Sequence, residues 1–352
     1  MASARLLRTR IQGILARPAV VLFLAGVMLL GINDGVIQIS LNNYLVDLFQ
    51  VRAVSRGALE FPRELPGFLT FFIISLLFFV RETRLSTLIC ICIAIGTAGL
   101  GVLGLPAVSR PFWAMLAFMF LWSLGMHLFM PISSSLTIYL TRSRAGGTRL
   151  GQVRSLRDFS FLIGALLVWA MMGPLELGYS QLYLWSSVLV LAAAICFRRL
   201  KLSDEPRPDR TRWVYHRHYT VFYLLNLFFG IRKQMFLTFA PLVLILYYGL
   251  KPSHFAILML ISASIGTFFG TAVGKLVDRR GERFVLIADS IILFTVSICY
   301  GLVTRETAGA GLALYILCGC YIVDHVLFSA RIAHVTYLKK ILLDPAPLTT
   351  TL

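Results

Sequence analysis

Acidic residues are scarce in this chain. Its 352 residues include 16 Asp and Glu against 33 Lys and Arg, and the four types together make up only 14%. A soluble globular domain carries about a quarter charged residues, so an ordinary water-facing surface is excluded. Cysteine is sparse as well. Cys90, Cys92, Cys196, Cys299, Cys318 and Cys320 all fall inside apolar runs and none has C-x-x-C spacing. They read as small core residues, without a disulfide, zinc or dithiol framework. Also missing are D-x-D, H-E-x-x-H and G-x-S-x-G, the patterns that would mark a membrane transferase or hydrolase. No G-x-x-x-x-G-K-S/T loop for ATP is present either. The chain does not read as an enzyme, and no cofactor or metal is expected.

Apolar residues dominate instead, at 58% of the chain with a mean hydropathy of +0.81. Runs of about 20 apolar residues, the length that crosses a ~30 Å hydrocarbon layer, recur throughout. The pattern predicts ten spans, at about 19–46, 55–79, 85–104, 111–139, 152–173, 179–197, 219–248, 254–275, 284–303 and 308–337. The basic, then apolar, N-terminus has the look of a signal peptide, but no small-x-small cleavage site follows its first apolar stretch, so it reads as a retained helix. The expected fold class is an all-α polytopic membrane protein.

The formal charge of +17 raises the question of nucleic acid. Its placement answers it. Counted by alternate sides of the ten spans, 24 Lys and Arg fall on one face and six on the other. That asymmetry is the positive-inside bias. It places both termini in the cytoplasm and implies a plasma membrane, such as the bacterial inner membrane, with the lipid bilayer as partner and no nucleic acid.

The polar stretch "RRLKLSDEPRPDRTRWVYHRH" (198–218) divides the chain into 1–200, a linker at 201–218, and 219–352. The two parts repeat. At an offset of 199, "GIND" (31–34) falls on "GIRK" (230–233), so Asp34 matches Lys233, and Arg84 matches Arg283. At 198, "HLFMPISSSLTIYLTR" falls on "HVLFSARIAHVTYLKK", matching His127 to His325. Two pseudo-symmetric bundles are expected, six spans followed by four. By the repeat, residue 352 corresponds to about residue 154, where the fifth span begins. The second bundle is therefore read as lacking two helices, which a partner chain would supply.

Between spans eight and nine stands "GKLVDRRGER" (274–283). It resembles the cytoplasmic loop motif of the major facilitator superfamily, G-x-L-x-D-R-x-G-R/x-R/K. The resemblance implies a twelve-helix transporter architecture in which Gly274, Asp278, Arg279, Arg280, Gly281 and Arg283 serve as a cytoplasmic gating motif. Gly274 would let helices approach closely and Asp278 would cap the next helix. The first-half counterpart, "SLLFFVRETR", has Phe79 where the motif's Asp would stand, and the family's fourth-span arginine is absent from "FMFLWSLGMHLF". Both departures argue against drug antiport.

An ionisable side chain inside a bilayer is expensive and usually functional. Asp34, His127, Lys233 and His325 lie at similar depth in spans 1, 4, 7 and 10, the helices that line the central cavity in the resembled family. Arg232, Asp324 and Arg331 complete the candidate substrate or proton pathway. Asp34 and Lys233 are expected to face each other across the path, as a coupling device or as a permanent bridge. In the tenth span, Asp324, His325 and Arg331 offer a proton relay, and both histidines have a structural alternative as hydrogen-bonded helix contacts. Arg63 and Glu64, in the charged outer half of span two, are candidates for the external gate, although a solvated helix end is an equal alternative. The motif and the buried charges together point to a secondary active transporter of a small solute, weakly anionic or zwitterionic, with a proton as candidate coupling ion. The alternative is a non-transporting scaffold or partner subunit of a membrane complex. A reporter active only in the cytoplasm should work when fused at either end of the chain, and activity at one end alone would contradict an even number of spans.

Overall fold

The structure, a computed structural model, describes residues 18–77, 79–141, 146–202, 217, 220–303 and 309–328. The four N-terminal arginines, most of the 201–218 linker, Arg331 and the expected end of the tenth span lie outside these residues. Ten long helices and no strand are found among the described residues. They are α1 (Pro18–Phe49), α2 (Ala53–Leu76), α3 (Glu82–Leu103), α4 (Phe112–Thr141), α5 (Gly146–Met172), α6 (Tyr179–Arg199), α7 (Thr220–Tyr248), α8 (Pro252–Arg280), α9 (Glu282–Leu302) and α10 (Ala310–Leu327). Helices are what apolar runs of this length must form in lipid, because every backbone N–H and C=O needs a partner within its own segment. Eight of the ten are long and apolar enough to cross a membrane. The exceptions among the ten expected spans are α10, whose apolar part is short, and α2, which carries Arg56, Glu60, Arg63 and Glu64. Helix α2 also runs through Pro62 and Pro66.

The chain divides into two compact units, Met1–Asp209 and Arg210–Leu352. In the first, α1 packs on α5 and α6, α3 on α4 and α6, and α2 on α4. Close approach is bought by glycine. A Cβ on Gly35 would lie 2.3 Å from the Phe161 carbonyl oxygen, and one on Gly31 would lie 2.8 Å from Ser160 Cβ. Hydrogen bonds cross the same interfaces. Asn33 Nδ2 donates to Ser186 Oγ (2.8 Å) and Thr97 Oγ1 (3.3 Å), joining α1 to α6 and α3. Ser40 donates to the Tyr183 hydroxyl (3.0 Å) and Tyr44 to the Leu100 carbonyl (2.9 Å). Such bonds hold helices together where the lipid supplies no hydrophobic drive between them.

In the second unit α10 packs on α8, α9 and α7, and α8 packs on α9. The loop motif proves to be almost all helix. Helix α8 runs to Arg280, Gly281 alone makes the turn at φ 81°, and α9 begins at Glu282. A side chain would be strained at that φ, which is why glycine stands there. Two expected roles are corrected. Asp278 lies within α8 and does not cap α9, whose N-cap position is Gly281 without a side-chain hydrogen bond. A Cβ on Gly274 would meet nothing within 4 Å, so this glycine marks no close helix contact among the described residues. Arg280 instead lies over the Phe284 ring, 5.4 Å from its centre.

Repeat-related glycines now differ. Gly31 is wedged against α5, whereas its counterpart Gly230 in α7 faces open space. Gly31→Ala should destabilise the protein by about 1–3 kcal/mol through overpacking. Gly230→Ala should be neutral or stabilise by up to about 1 kcal/mol through helix propensity. Thermal unfolding of both variants in detergent checks the pair.

Candidate functional site

Each unit encloses its own buried ion pair. In the first unit, Gly31 and Gly35 flank Asp34 on α1 and clear the groove in which α5 lies. That approach brings Arg157 Nη2 to 2.9 Å from Asp34 Oδ2, while Gln38 Nε2 donates to Asp34 Oδ1 at 2.9 Å. Asp34 is 6% exposed, so its carboxylate is held between these two donors with little access to water. Within the first unit both carboxylate oxygens of Asp34 have a partner, Arg157 for Oδ2 and Gln38 for Oδ1. Arg157 stands where the apolar run of α5 begins, in the stretch "GQVRSLRDFS". Its i,i+3 relation to Arg154 and its place next to Asp158 gave no sign that it reaches the α1 charge.

A second network runs along the N-terminal half of α2. Arg56 Nε donates to Asn42 Oδ1 on α1 (2.7 Å), and its Nη1 bonds Glu60. Glu60 also accepts from Arg63 (2.7 Å), which reaches Glu64 at 2.9 Å. Glu64 then faces His127 Nε2 on α4 at 3.6 Å. The structure thus brings three sequence candidates, Arg63, Glu64 and His127, into one chain of contacts. Arg56 is its anchor, only 2% exposed. The Ser123 hydroxyl on α4 donates to the Arg63 carbonyl and ties α2 to α4 at the same level.

In the second unit Arg232 on α7 meets Asp324 on α10, with Nη2 2.6 Å from Oδ1. Phe229 and Phe328 cover the guanidinium at 5.6 and 5.1 Å from their ring centres. His325 donates from Nδ1 to the Tyr321 carbonyl (2.9 Å), stacks on the Tyr321 ring and lies 4.0 Å from Asp324 Oδ2. Sequence candidates Arg232, Asp324 and His325 are therefore neighbours, and Arg331 lies outside the described residues. Lys233, one position beyond Arg232, has contacts of its own. Asp289 on α9 joins the group electrostatically, with Arg232 and Asp324 as its charged neighbours. Sequence reasoning missed it. The signal was there, a lone carboxylate in the run "FVLIADSIILF".

Neither site gathers a metal-binding set, since no group of three or more His, Cys, Asp or Glu converges among the described residues. What both arrangements can do is exchange partners. A guanidinium bonded to one carboxylate can be drawn to another anion or released when the carboxylate is neutralised.

Solved structures of transporters share this fold at low sequence identity. A variant of the nucleoside transporter NupG superposes with a TM-score of 0.70 at 13% identity, over 94% of this chain and 84% of that one. A bacterial metal transporter follows the same path with a TM-score of 0.62 at 15% identity, covering 95% of this chain and 88% of its own. For a D-xylose–proton symporter the values are 0.54, 14%, 94% and 88%. No match was found among curated protein sequences. The family model of the Major Facilitator Superfamily matches residues 65–331, about three quarters of the sequence and both units. With the loop motif, the helical architecture and this match in agreement, the chain is a member of the major facilitator superfamily, a family of membrane transporters rather than enzymes.

Proposed function

We propose that this protein is a secondary active transporter, moving a small organic solute by alternating access with a proton as the coupling ion. The observation that carries the proposal is the pair of salt bridges Asp34–Arg157 and Arg232–Asp324, each closed on a carboxylate buried in an apolar helix, 6% and 1% exposed. Burying an ion pair is seldom the most stable way to fill a helix interface, since apolar packing of the same volume often does as well or better. Charges kept there despite that cost are best explained by use. The solute is zwitterionic or weakly anionic. Each unit by itself offers both signs, Asp34 with Arg157 in the first and Asp324 with Arg232 in the second, which supports a solute that carries both. The similar structures are of nucleoside, metal and xylose transporters, three unlike cargoes, so the fold itself does not select the substrate. The cytoplasmic gating role of Gly274, Asp278, Arg279, Arg280, Gly281 and Arg283 belongs to the same proposal, as do an external gate at Arg63 and Glu64 and a bacterial inner-membrane location with both termini inside.

A second reading is a non-transporting scaffold that takes further helices from a partner chain. One observation favours it. Helix α1 is covered by α5 and α6, whereas the repeat-related α7 leaves Leu224, Leu227, Phe228, Ile231 and Met235 exposed.

Two measurements test the proposal. A thermal-shift screen of the purified protein against zwitterionic and anionic metabolites should find a ligand that stabilises by about 2.7 kcal/mol at ~100 times its dissociation constant. Stabilisation should be lost in folded Lys233→Ala. Silence across the panel would move weight to the scaffold. A double-mutant cycle on Asp34→Ala and Arg157→Ala should return a coupling energy of about 1–3 kcal/mol, and additive single effects would remove the ion pair from consideration.

A further inference from the structure

Helix α6 is seated between α1 and α3. The second unit repeats both walls of that seat, as α7 and α9, and among the described residues no helix packs between them. For α1 and α7 the offset of 199 places Gly26 on Leu225. For α3 and α9 an offset of 200 aligns Glu82 with Glu282 and Gly101 with Gly301. Burial supports that register. Ile89 and Asp289, Ile93 and Leu293, and Gly96 and Val296 are buried in both units.

The positions that differ form one face. Cys90, Ala94, Thr97 and Gly101 are buried in α3. Their counterparts Ser290, Phe294, Ser297 and Gly301 are all exposed, Phe294 by 67%. Spacings of four, three and four residues put the set on a single side of α9. In the first unit that side meets α6. A Cβ on Gly101 would lie 3.1 Å from Leu184 Cγ, and Asn33 bonds both Thr97 and Ser186. A Cβ on Gly301 would meet nothing within 4 Å. On the same side of α9 is an open groove of about 780 Å³, lined by Leu225, Leu286, Ser290 and Phe294, with Glu282 and Arg283 at one end. The two serines of the face donate to their own helix, at the Leu286 and Leu293 carbonyls, so the face asks for no polar partner.

We propose that this groove is the docking seat for one membrane-spanning helix of a partner protein, antiparallel to α9 as α6 is to α3. The seat copies an interface that the protein already makes once, which favours a helix over a lipid chain in the same space. The chemistry of the partner follows from the residues exchanged in the walls. A Cβ on Gly26 would lie 2.6 Å from the Phe197 ring of α6, and Leu225 stands in that place in the second unit. Carrying the antiparallel register one turn on from Gly101 and Thr97 brings Val190, 0% exposed, opposite Ala94, where the second unit has Phe294. The partner helix is therefore apolar, small where α6 has Val190 and Phe197, and bulky opposite Gly301. Small residues facing large ones let membrane helices approach closely. Charge sets its direction. The basic last turn of α6, Arg198 and Arg199, ends at the side where α3 begins with Glu82, and α9 begins with Glu282. A second copy of this chain does not supply the helix, because its α6 would drive Phe197 onto Leu225.

This goes beyond both readings of function, since a seated helix is compatible with transport and with scaffolding. Its test reads binding alone. The full chain in lipid nanodiscs is mixed with synthetic peptides of residues 178–200 in which photo-leucine replaces Leu184, and crosslinks are mapped by mass spectrometry. A peptide carrying Val190→Ala and Phe197→Ala should crosslink beside Gly301 roughly tenfold more than the unaltered peptide, which is overpacked by Leu225 and Phe294. Gly301→Leu in the chain should abolish the crosslink, and Leu225→Gly should raise crosslinking of the peptide that keeps Phe197. If either chain variant fails to fold, the two peptides on the unaltered chain decide. Equal crosslinking by both peptides, or crosslinks scattered away from α9, overturns the proposal. Phospholipid held by the chain in native mass spectra, released by Gly301→Leu, with both peptides excluded, would assign the groove to lipid and also overturn it. A peptide that seats while the solute screen stays silent counts against transport and leaves the seat standing.

Discussion

A charge within an apolar helix must find its counter-charge on a neighbouring helix, because the surrounding lipid offers none. In this protein that requirement governs which helices touch and how closely. Arg157 can neutralise Asp34 only if α5 lies directly against α1, and α5 can lie there only if Gly31 and Gly35 present no side chain. The asparagine and serine bonds from Asn33 to Ser186 and Thr97 then fix the other side of the same helix. The charge, the glycines and the hydroxyls of α1 are parts of one arrangement.

The second unit meets the same requirement with four helices among the described residues. Arg232 and Asp324 join α7 to α10, and aromatic rings seal the guanidinium from both sides. Here the accounting is left open, with two acids near one arginine and several polar atoms unpaired. The asymmetry between the units is therefore chemical as well as architectural. One holds its carboxylate between two donors, the other leaves an oxygen of its carboxylate without a hydrogen-bond partner.

Helix α2 shows the third way to accommodate charge. Its ions are arranged along one helix at i,i+3 and i,i+4 spacing and tied at each end to a neighbour, Asn42 on α1 and His127 on α4. Such a chain stiffens the contact of α2 with α4 and makes that contact sensitive to any anion that competes for Arg63 or to any change at His127.

The sequence by itself determined the class of fold, through the length of its apolar runs. It also determined the family, through ten residues that end α8 and begin α9, and it exposed Asp34, Arg232, Asp324 and His325 as unusual because each interrupts an apolar run. Only the tertiary structure decided who pairs with whom. Repeat arithmetic matched Asp34 to Lys233 and gave no hint of Arg157, which bonds it from 123 positions along the chain. Asp289 went unnoticed for the same reason. A sequence shows that a charge is buried by what flanks it along one helix. Its partner is set by the packing of other helices across it, and no local pattern records that.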